Sequence, residues 1–228
     1  MEQIFFCGDN HGRFDQLIEA VYEHAPAALV LLGDIQAQRP LEEELADIPD
    51  STELRFIHGN RDTDSEADYD NLFGSELAHR NLHGRVVTIA GIRLGGLGGI
   101  FRGQVWKPPE PPKSESAKEY TRTVGRSGRW RDGLPLRHRS TIFPDVYAAL
   151  AKQRADVLVP HEAPSAHHHG FQALDELARS LQVRASFHGH DHVNMDYRRH
   201  WEQLGHQAFS VGFCGITALD GTVIRPGD

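Results

Sequence analysis

The chain has 228 residues, a length that suits one domain with a substantial hydrophobic core. Its formal net charge of -8 argues against a general nucleic-acid-binding protein, since phosphate backbones require net or clustered positive charge. Two cysteines exclude a disulfide framework, and no apolar run approaches the length of a membrane span, so we expect a cytoplasmic protein without membrane contact.

The first quarter of the chain alternates short apolar runs with a helical pattern. IFFC at 4–7 and LVLL at 29–32 have the length of buried strands, and residues 14–24 between them present one apolar helical face. This strand–helix–strand order favours an α/β sheet. A short helix at 41–47 and a third strand, LRFI at 54–57, follow.

The later part of the chain repeats these patterns with longer connections. Residues 64–80 are acidic and of mixed pattern with some helical character. The other predicted elements, in chain order, are a hairpin of strands at 85–90 and 92–97, a helix at 145–154, a strand at 156–160, a helix at 171–181, a strand at 185–187 and terminal strands at 206–213, 216–219 and 222–225.

Residues 101–142 interrupt this order. The segment has two Pro-Pro pairs and little periodicity, and it carries ten Lys and Arg against four Asp and Glu. So long a connection inside a compact domain is usually a functional lid or a disordered stretch. A solvated loop that balances the acidic remainder is the alternative. We predict a single domain over residues 1–228, with 101–142 as a basic cap and Arg129 and Arg131 beside Trp130 as its ligand-binding residues.

Five apolar runs end abruptly in Asp, His or Asn. The polar clusters are GDNHG at 8–12, GD at 33–34, HGNRD at 58–62, HE at 161–162 and HGHDH at 188–192. Function in open α/β sheets collects beyond the carboxyl ends of the strands, so we expect these clusters to meet. Their oxygen and imidazole donors, without thiolate, suit manganese, iron, zinc or cobalt better than calcium.

One ligand comes from each of three clusters and two from each of the others. The predicted metal ligands are Asp9, His11, Asp34, Asn60, His161, His190 and His192. In an extended segment the paired ligands, two residues apart, lie on the same side. A lone Asp would be read as a helix cap and a lone His as a structural residue, but the ordered set overrides both readings. Since one octahedral ion does not take so many ligands, we predict two divalent metal ions sharing a carboxylate, as in phosphoester hydrolysis.

The same motifs, in the same order between residues 9 and 192, resemble the calcineurin-like metallophosphoesterase superfamily. The resemblance implies an α/β fold in four layers, an αββα sandwich of two mixed β-sheets flanked by helices. It also implies the distribution of the ligands. The first metal would be held by Asp9, His11 and His192, the second by Asn60, His161 and His190, with Asp34 as the bridge.

Two departures from the family pattern bear on catalysis. The family often has GNH where this chain has Gly59-Asn60-Arg61, and its histidine is associated with the phosphate and the leaving group. Arginine cannot donate a proton at ordinary pH, but its planar fork can bind phosphate oxygens, so Asn60 and Arg61 are the predicted catalytic residues and Arg61 also a substrate-binding one. The segment after Asp34 lacks the Asp-Arg pair of phosphoprotein phosphatases, which disfavours a protein Ser/Thr phosphatase.

The predicted activity is metal-dependent hydrolysis of a small phosphate monoester or diester, such as a nucleotide, by attack of a metal-bridging hydroxide. A protein Ser/Thr phosphatase and a non-catalytic binding scaffold of the same fold are the alternatives. A scaffold typically loses ligands, and all are present here. A structural metal domain is disfavoured because structural sites are usually closed and rich in thiolate.

Several neighbouring residues allow two interpretations. His58 and His188 each precede a ligand by two residues, and they either face the site or pack as strand residues. Asp62 and Asp191 are expected to orient ligand histidines or cap turns. The three histidines at 167–169 are expected to lie in a solvated loop, from which one of them could contact substrate. Trp106 and Trp130 are expected either to stack on a nucleobase or to pack the cap.

Overall fold

A computed structural model describes residues 3–227. The strands are β1 (Ile4–Cys7), β2 (Ala28–Leu31), β3 (Glu53–Phe56), β4 (Val86–Ile89), β5 (Ile92–Leu97), β6 (Val157–Pro160), β7 (Ala185–His188), β8 (Gln207–Ser210), β9 (Ile216–Ala218) and β10 (Val223–Arg225). The helices are α1 (Asp15–His24), α2 (Leu41–Glu44), α3 (Glu66–Phe73), α4 (Ala117–Thr123), α5 (Pro144–Ala151), α6 (Gln172–Leu181) and α7 (Trp201–Leu204).

The strands form two five-stranded sheets, ordered β10-β9-β1-β2-β3 and β4-β5-β6-β7-β8. In the first sheet β1, β2 and β3 are parallel, and β9 and β10 add an antiparallel edge. In the second sheet β5 to β8 are parallel, and β4 joins β5 as an antiparallel hairpin. Both sheets are therefore mixed, as predicted.

Three apolar clusters separate the layers. Phe5 and Leu29 face Leu17 of α1, so the first cluster lies between a helix layer and the first sheet. The second cluster joins Phe6 of the first sheet to Phe187 of the second, and further residues of both sheets fill it. A third cluster covers the outer face of the second sheet with α5 and α6. The order helix, sheet, sheet, helix confirms the predicted four-layer αββα sandwich.

Some boundaries differ from the sequence prediction for physical reasons. The predicted strand at 206–213 ends at Ser210, because the chain then leaves the second sheet and enters the first as β9. The predicted helix at 41–47 is one turn long, Leu41–Glu44. In the acidic stretch, α3 begins after Ser65, whose side chain accepts a hydrogen bond from Asp68 N and caps the first turn.

The segment 101–142 is tied together at its base. Ile100 N donates to Ser140 O at 2.9 Å, and Ile142 N donates to Ile100 O at 3.0 Å. Within the segment, α4 is capped by Ser116, and Val105 and Ser114 are buried. No helix in the described part of the chain is long and apolar enough to cross a bilayer. The cap function and the single-domain boundaries stay predictions.

Replacement of Phe187 tests the packing between the sheets. The Phe187 ring is fully buried, and its centroid lies 3.8 Å from that of Phe6 across the sheets and 4.8 Å from that of Phe209. We expect Phe187→Ala to lower the free energy of unfolding by about 3–5 kcal/mol through lost transfer energy and a residual cavity. Urea denaturation would measure the change. Val223→Ala on the exposed face of β10 is the control, expected within about 0.5 kcal/mol of wild type, and a similarly small effect at Phe187 would contradict this account.

Candidate metal centre

The polar strand ends of the two sheets meet at one place. Asp9 and Asp34 follow β1 and β2 of the first sheet, and His161 follows β6 of the second. His161 Nε2 lies 3.5 Å from Asp34 Oδ1. Likewise His11 Nε2 lies 3.0 Å from His192 Nε2, although 181 residues separate them in the chain. The expected convergence of these clusters is therefore present.

Six of the seven predicted ligands form two overlapping groups. Within each group the ligand atoms lie within 4.8 Å of one another, and Asp34 belongs to both. One group comprises Asp9, His11, Asp34 and His192, and the other Asp34, His161 and His190. The seventh residue, Asn60, has a buried side-chain oxygen with no hydrogen-bond partner in the described residues. Their roles as metal ligands stay a prediction, but the grouping matches two sites that share one carboxylate.

The backbone of the ligand segments corrects one expectation. The paired ligands were predicted to lie in extended segments, whereas five of the ligands have positive φ angles. The values are 27° for Asp9, 45° for His11, 46° for Asp34, 72° for His190 and 58° for His192. The side chains thus converge through left-handed turns rather than through strand alternation. Such conformations are uncommon for residues with a Cβ and cluster at functional sites.

Two histidines are oriented by hydrogen bonds at Nδ1. His161 Nδ1 donates to Leu32 O at 2.7 Å, and His11 Nδ1 donates to Gln36 Oε1 at 2.5 Å. In the neutral form of each ring, these hydrogen bonds keep the proton at Nδ1, so that Nε2 can bind a metal. His161 Nε2 is buried and has no hydrogen-bond partner among the described residues. An orphaned buried acceptor of this kind fits a metal ligand, because an unsatisfied polar atom otherwise costs free energy.

Backbone amides hold the carboxylates in place. Both oxygens of Asp9 accept from His190 N, at 3.1 and 2.8 Å, and Asp34 Oδ1 accepts from Arg61 N at 2.8 Å. Asp62, fully buried, accepts from Gln36 N and Gly59 N, both at 2.8 Å. Asp62 therefore joins the loops after β2 and β3 through backbone amides, which agrees with the expected turn-capping role rather than with orientation of a ligand histidine.

The site stabilises positive charge. Burial alone lowers the pKa of His161, but the carboxylate of Asp34 and then that of Asp9 outweigh burial and raise this pKa to about 10. Burial raises the pKa of Asp9 to about 8 despite the opposing effect of His161. Burial also raises the pKa of Asp34, but His161 and the Arg61 amide overcome it and leave that pKa below its usual range. Buried carboxylates that favour a proton on His161 would equally favour a divalent cation.

Close packing at Gly59 and Gly33 leaves no room for a side chain. A Cβ at Gly59 would overlap Asp34 Oδ1, and one at Gly33 would lie 2.6 Å from His161 Nδ1. Gly33 also has a φ of 95°, which few other residues adopt. These glycines therefore allow the loops of the two sheets to approach each other at Asp34.

Arg61 lies at the edge of the site. Its main-chain N–H binds Asp34, and its guanidinium Nη1 donates to Asp64 Oδ2 at 3.0 Å. More than half of the Arg61 side chain is exposed. An exposed fork bound to one exposed carboxylate can exchange that partner for a phosphate oxygen at little cost, since surface ion pairs contribute little to stability.

A cavity of about 920 Å³ opens beside His190. Its wall includes Trp106, Tyr147 and Phe171 together with the buried carboxyl group of Glu162. Glu162 Oε1 accepts from Phe101 N at 2.9 Å, and Oε2 lies 4.0 Å from His190 Nε2. Burial raises the pKa of Glu162 to about 7. The sequence analysis assigned no role to Glu162, the residue after His161, or to Gln36, two residues after Asp34.

Arg129 and Arg131 make contacts within and beside the basic segment. Arg131 donates two hydrogen bonds to the Asp70 carboxylate, each 2.7 Å long, and its Cζ lies 4.0 Å from the Trp130 ring centroid. Arg129 Nε donates to Val124 O at 3.2 Å. Neither residue lines the cavity beside His190, whereas Trp106 does. Their binding of substrate stays a prediction.

The neighbouring histidines have distinct environments. His188 is fully buried, and its Nε2 lies 3.0 Å from Tyr197 Oη. His58 is also buried and bonded to Asn81 through Nδ1 at 3.1 Å. Both therefore match the packed-strand interpretation. His168 and His169 line the cavity beside His190, while His167 Nδ1 is 3.3 Å from Asp191 Oδ2.

The buried His188 predicts a pH effect on stability. Burial lowers its pKa to about 4, below the ordinary value of 6.5. Between these values the unfolded chain binds a proton that the folded chain does not, so the free energy of unfolding falls as pH falls through this window. We expect His188→Gln to weaken that dependence by about one proton. Chemical denaturation of chelator-treated protein between pH 7 and 4 would measure it, and an unchanged slope would contradict a neutral buried His188.

Comparisons with known proteins agree with this geometry. A protein of Haemophilus influenzae without an assigned function is 40% identical over 221 residues, which cover 97% of this chain and 96% of that protein. The solved structure of TT1561 of Thermus thermophilus superimposes with a TM-score of 0.61 at 13% identity, covering 99% of this chain and 98% of that one. Another solved structure gives a TM-score of 0.61 at 15% identity with the same coverage.

These two structural matches support the fold alone. The sequence pattern of the calcineurin-like phosphoesterase family, in contrast, matches residues 3–194, a range that contains every predicted ligand. Together with the two mixed sheets and the shared Asp34, this match identifies the chain as a member of the calcineurin-like phosphoesterase family.

Proposed function

We propose that this protein is a dinuclear metal-dependent phosphoesterase that hydrolyses a small phosphate monoester or diester. The observation that carries the proposal is the position of Asp34 in two ligand groups at once. Two divalent cations held there by the seven ligands would neutralise phosphate charge and lower the pKa of a water for attack on phosphorus. Manganese, iron, zinc and cobalt all suit the imidazole and carboxylate donors.

The residues around the ligands have separate roles in this proposal. Arg61 binds non-bridging phosphate oxygens with the exposed guanidinium N–H groups that its Nη1 contact with Asp64 leaves available. Its main-chain N–H keeps Asp34 oriented throughout, through the 2.8 Å hydrogen bond. Asn60 would offer its buried, unpartnered side-chain oxygen to the second metal. Asp62 and Gln36 hold the loops and the His11 ring in place.

The cavity beside His190 supports an organic substituent on the phosphate. Its volume of about 920 Å³ suits a group of nucleoside size, since small-molecule sites typically measure roughly 300–1,000 Å³. Trp106 offers an aromatic surface on its wall, and Lys107 contributes a positive charge. We therefore include nucleotides in the proposed substrate class. Trp130 is less suitable for stacking, since Arg131 and Arg139 already lie against its ring.

Replacement of Asp34 tests the shared carboxylate. We expect Asp34→Asn to lower kcat/KM for p-nitrophenyl phosphate or bis-p-nitrophenyl phosphate by at least about 100-fold, because a charge at the reacting centre is lost. The metal content, measured by mass spectrometry, should fall in the same variant. Exposed Asp50→Asn is the control, with full activity and metal content. Retained activity and metal content in Asp34→Asn would contradict the bridging role. Failure of the manganese-loaded or zinc-loaded wild type to hydrolyse either ester would favour a binding scaffold.

Replacement of Arg61 tests the phosphate contact. We expect Arg61→Ala to reduce kcat/KM by about 10- to 100-fold, mainly through KM, because a charged hydrogen bond to the phosphate is lost. Arg93→Ala is the matched control. Arg93 also forms an exposed pair with an aspartate, Asp156, but next to the amino end of β6, so activity should be unchanged. Equal kcat and KM values for Arg61→Ala and wild type would contradict a contact between Arg61 and the phosphate.

A further inference from the structure

A second cavity lies beside the predicted ligand Asn60. It measures about 620 Å³, and its wall includes Asn60 and Thr63 from the loop after β3. Arg102 and Arg137, from the two ends of the basic segment 101–142, complete this wall. We call it the Arg102–Arg137 cavity. Asn60 lines this cavity and His190 lines the aromatic one, so each cavity adjoins one of the ligands that the family resemblance assigns to the second metal.

Hydrogen bonds connect Arg102 to the ligand loop. Thr63 Oγ1 lies 3.2 Å from Asn60 O and 2.7 Å from Ser140 Oγ. Arg102 Nη2 donates to the same Ser140 Oγ at 3.3 Å. Thr63 and Ser140 are both buried, so this series of hydrogen bonds is shielded from solvent. These hydrogen bonds fix the position of Arg102 relative to Asn60. Arg102 therefore lies near the predicted metal ligands without being one of them.

The positive charge in this cavity has no ion-pair partner in the described residues, and the carboxylates of Asp64 and Glu162 act on Arg102 only at longer range. Arg102 Nε is buried without a hydrogen-bond partner, and within residues 3–227 neither Arg102 nor Arg137 forms an ion pair. The acidic residue on the wall, Asp64, already binds Arg61 at 3.0 Å. The positive charges of Arg102 and Arg137 also act on a buried neighbour. Burial first, then these two guanidinium groups, lower the pKa of His138 to about 4. Burial and, after it, electrostatic repulsion from Arg137 also lower the pKa of Arg102, and an anion bound between the two guanidinium groups would relieve that repulsion.

We propose that the Arg102–Arg137 cavity binds a second anionic group of the substrate, such as a further phosphate or a carboxylate, beyond the ester that is cleaved. This inference rests on the proposed phosphoesterase function and narrows its substrate class. The planar forks of the two arginines suit bidentate contacts with a phosphate or carboxylate. The organic group would then occupy the aromatic cavity, with the scissile phosphate between the two.

Matched pairs of substrates test this inference on the full-length, metal-loaded protein. Adenosine 3′,5′-bisphosphate is compared with adenosine 5′-monophosphate and 3′-monophosphate, and fructose 1,6-bisphosphate with fructose 6-phosphate. We expect kcat/KM of the wild type to be about 10-fold higher for the bisphosphate than for the monophosphate in at least one pair. Arg137→Gln should reduce that preference to below about 3-fold, while kcat/KM for the monophosphate changes by less than about 3-fold.

Two further variants make the result specific. Arg102→Gln should have the same effect. Because Arg102 is half-buried, this variant could be unstable, and in that case the result for the exposed Arg137 is decisive. Arg126→Gln changes an exposed arginine of the same segment and should keep the wild-type preference. Absence of a preference in active wild type would overturn the inference and leave the phosphoesterase proposal intact. An equal loss on both members of a pair would also overturn it, because the arginines would then bind the scissile phosphate.

An equilibrium measurement keeps the inference testable if no ester is hydrolysed. Calorimetry would compare the binding of inorganic pyrophosphate and inorganic phosphate to wild type and Arg137→Gln. We expect wild type to bind pyrophosphate at least about 10-fold more tightly than phosphate, and Arg137→Gln to lose most of that difference. Equal ratios in the two proteins would overturn the second anionic subsite, whatever the outcome of the hydrolysis assays.

Discussion

The burial of Asp9 and Asp34 at the junction of the two sheets is the constraint on which the site depends. Both carboxylates are almost fully shielded from water, and a buried charge costs several kcal/mol unless it is compensated. His161 and the amides of His190 and Arg61 supply part of that compensation. These partners come from both sheets, so the buried carboxylates are compensated only when the two sheets are correctly aligned.

Much of this arrangement was predictable because it is encoded locally. Short apolar runs predicted the strands, and the polar residues directly after them predicted the convergence of Asp9, Asp34 and His161. The family resemblance supplied the pairing of the sheets. The left-handed backbone at the ligands was not predictable, since spacing alone does not distinguish a turn from a strand. The contact between Gln36 and His11 depends on loops 25 residues apart, which no local pattern records.

The density of arginines in the basic segment does not reveal which of them are paired. Arg131, predicted with Arg129 to bind substrate because both flank Trp130, pairs with Asp70, a residue 61 positions earlier in the chain. Arg102 and Arg137 are less conspicuous in the sequence, but the tied base of the segment brings both to the ligand loop. Whether an arginine of this segment is paired depends on which acidic residues fold against it. Within the described residues, Arg131 is the one arginine of this segment that forms an ion pair, whereas Arg102 and Arg137 form none.

The large chain separation between partners in the site has a consequence for folding. His11 and His192 face each other across 181 residues, and His161 reaches Leu32 across 129. Contacts of such high sequence separation require closure of long loops, and they form late when the nucleus is local. A cation bound by these residues would therefore act on the native state after both sheets have assembled. It would prolong the lifetime of the folded protein by slowing unfolding and would leave the rate of folding nearly unchanged.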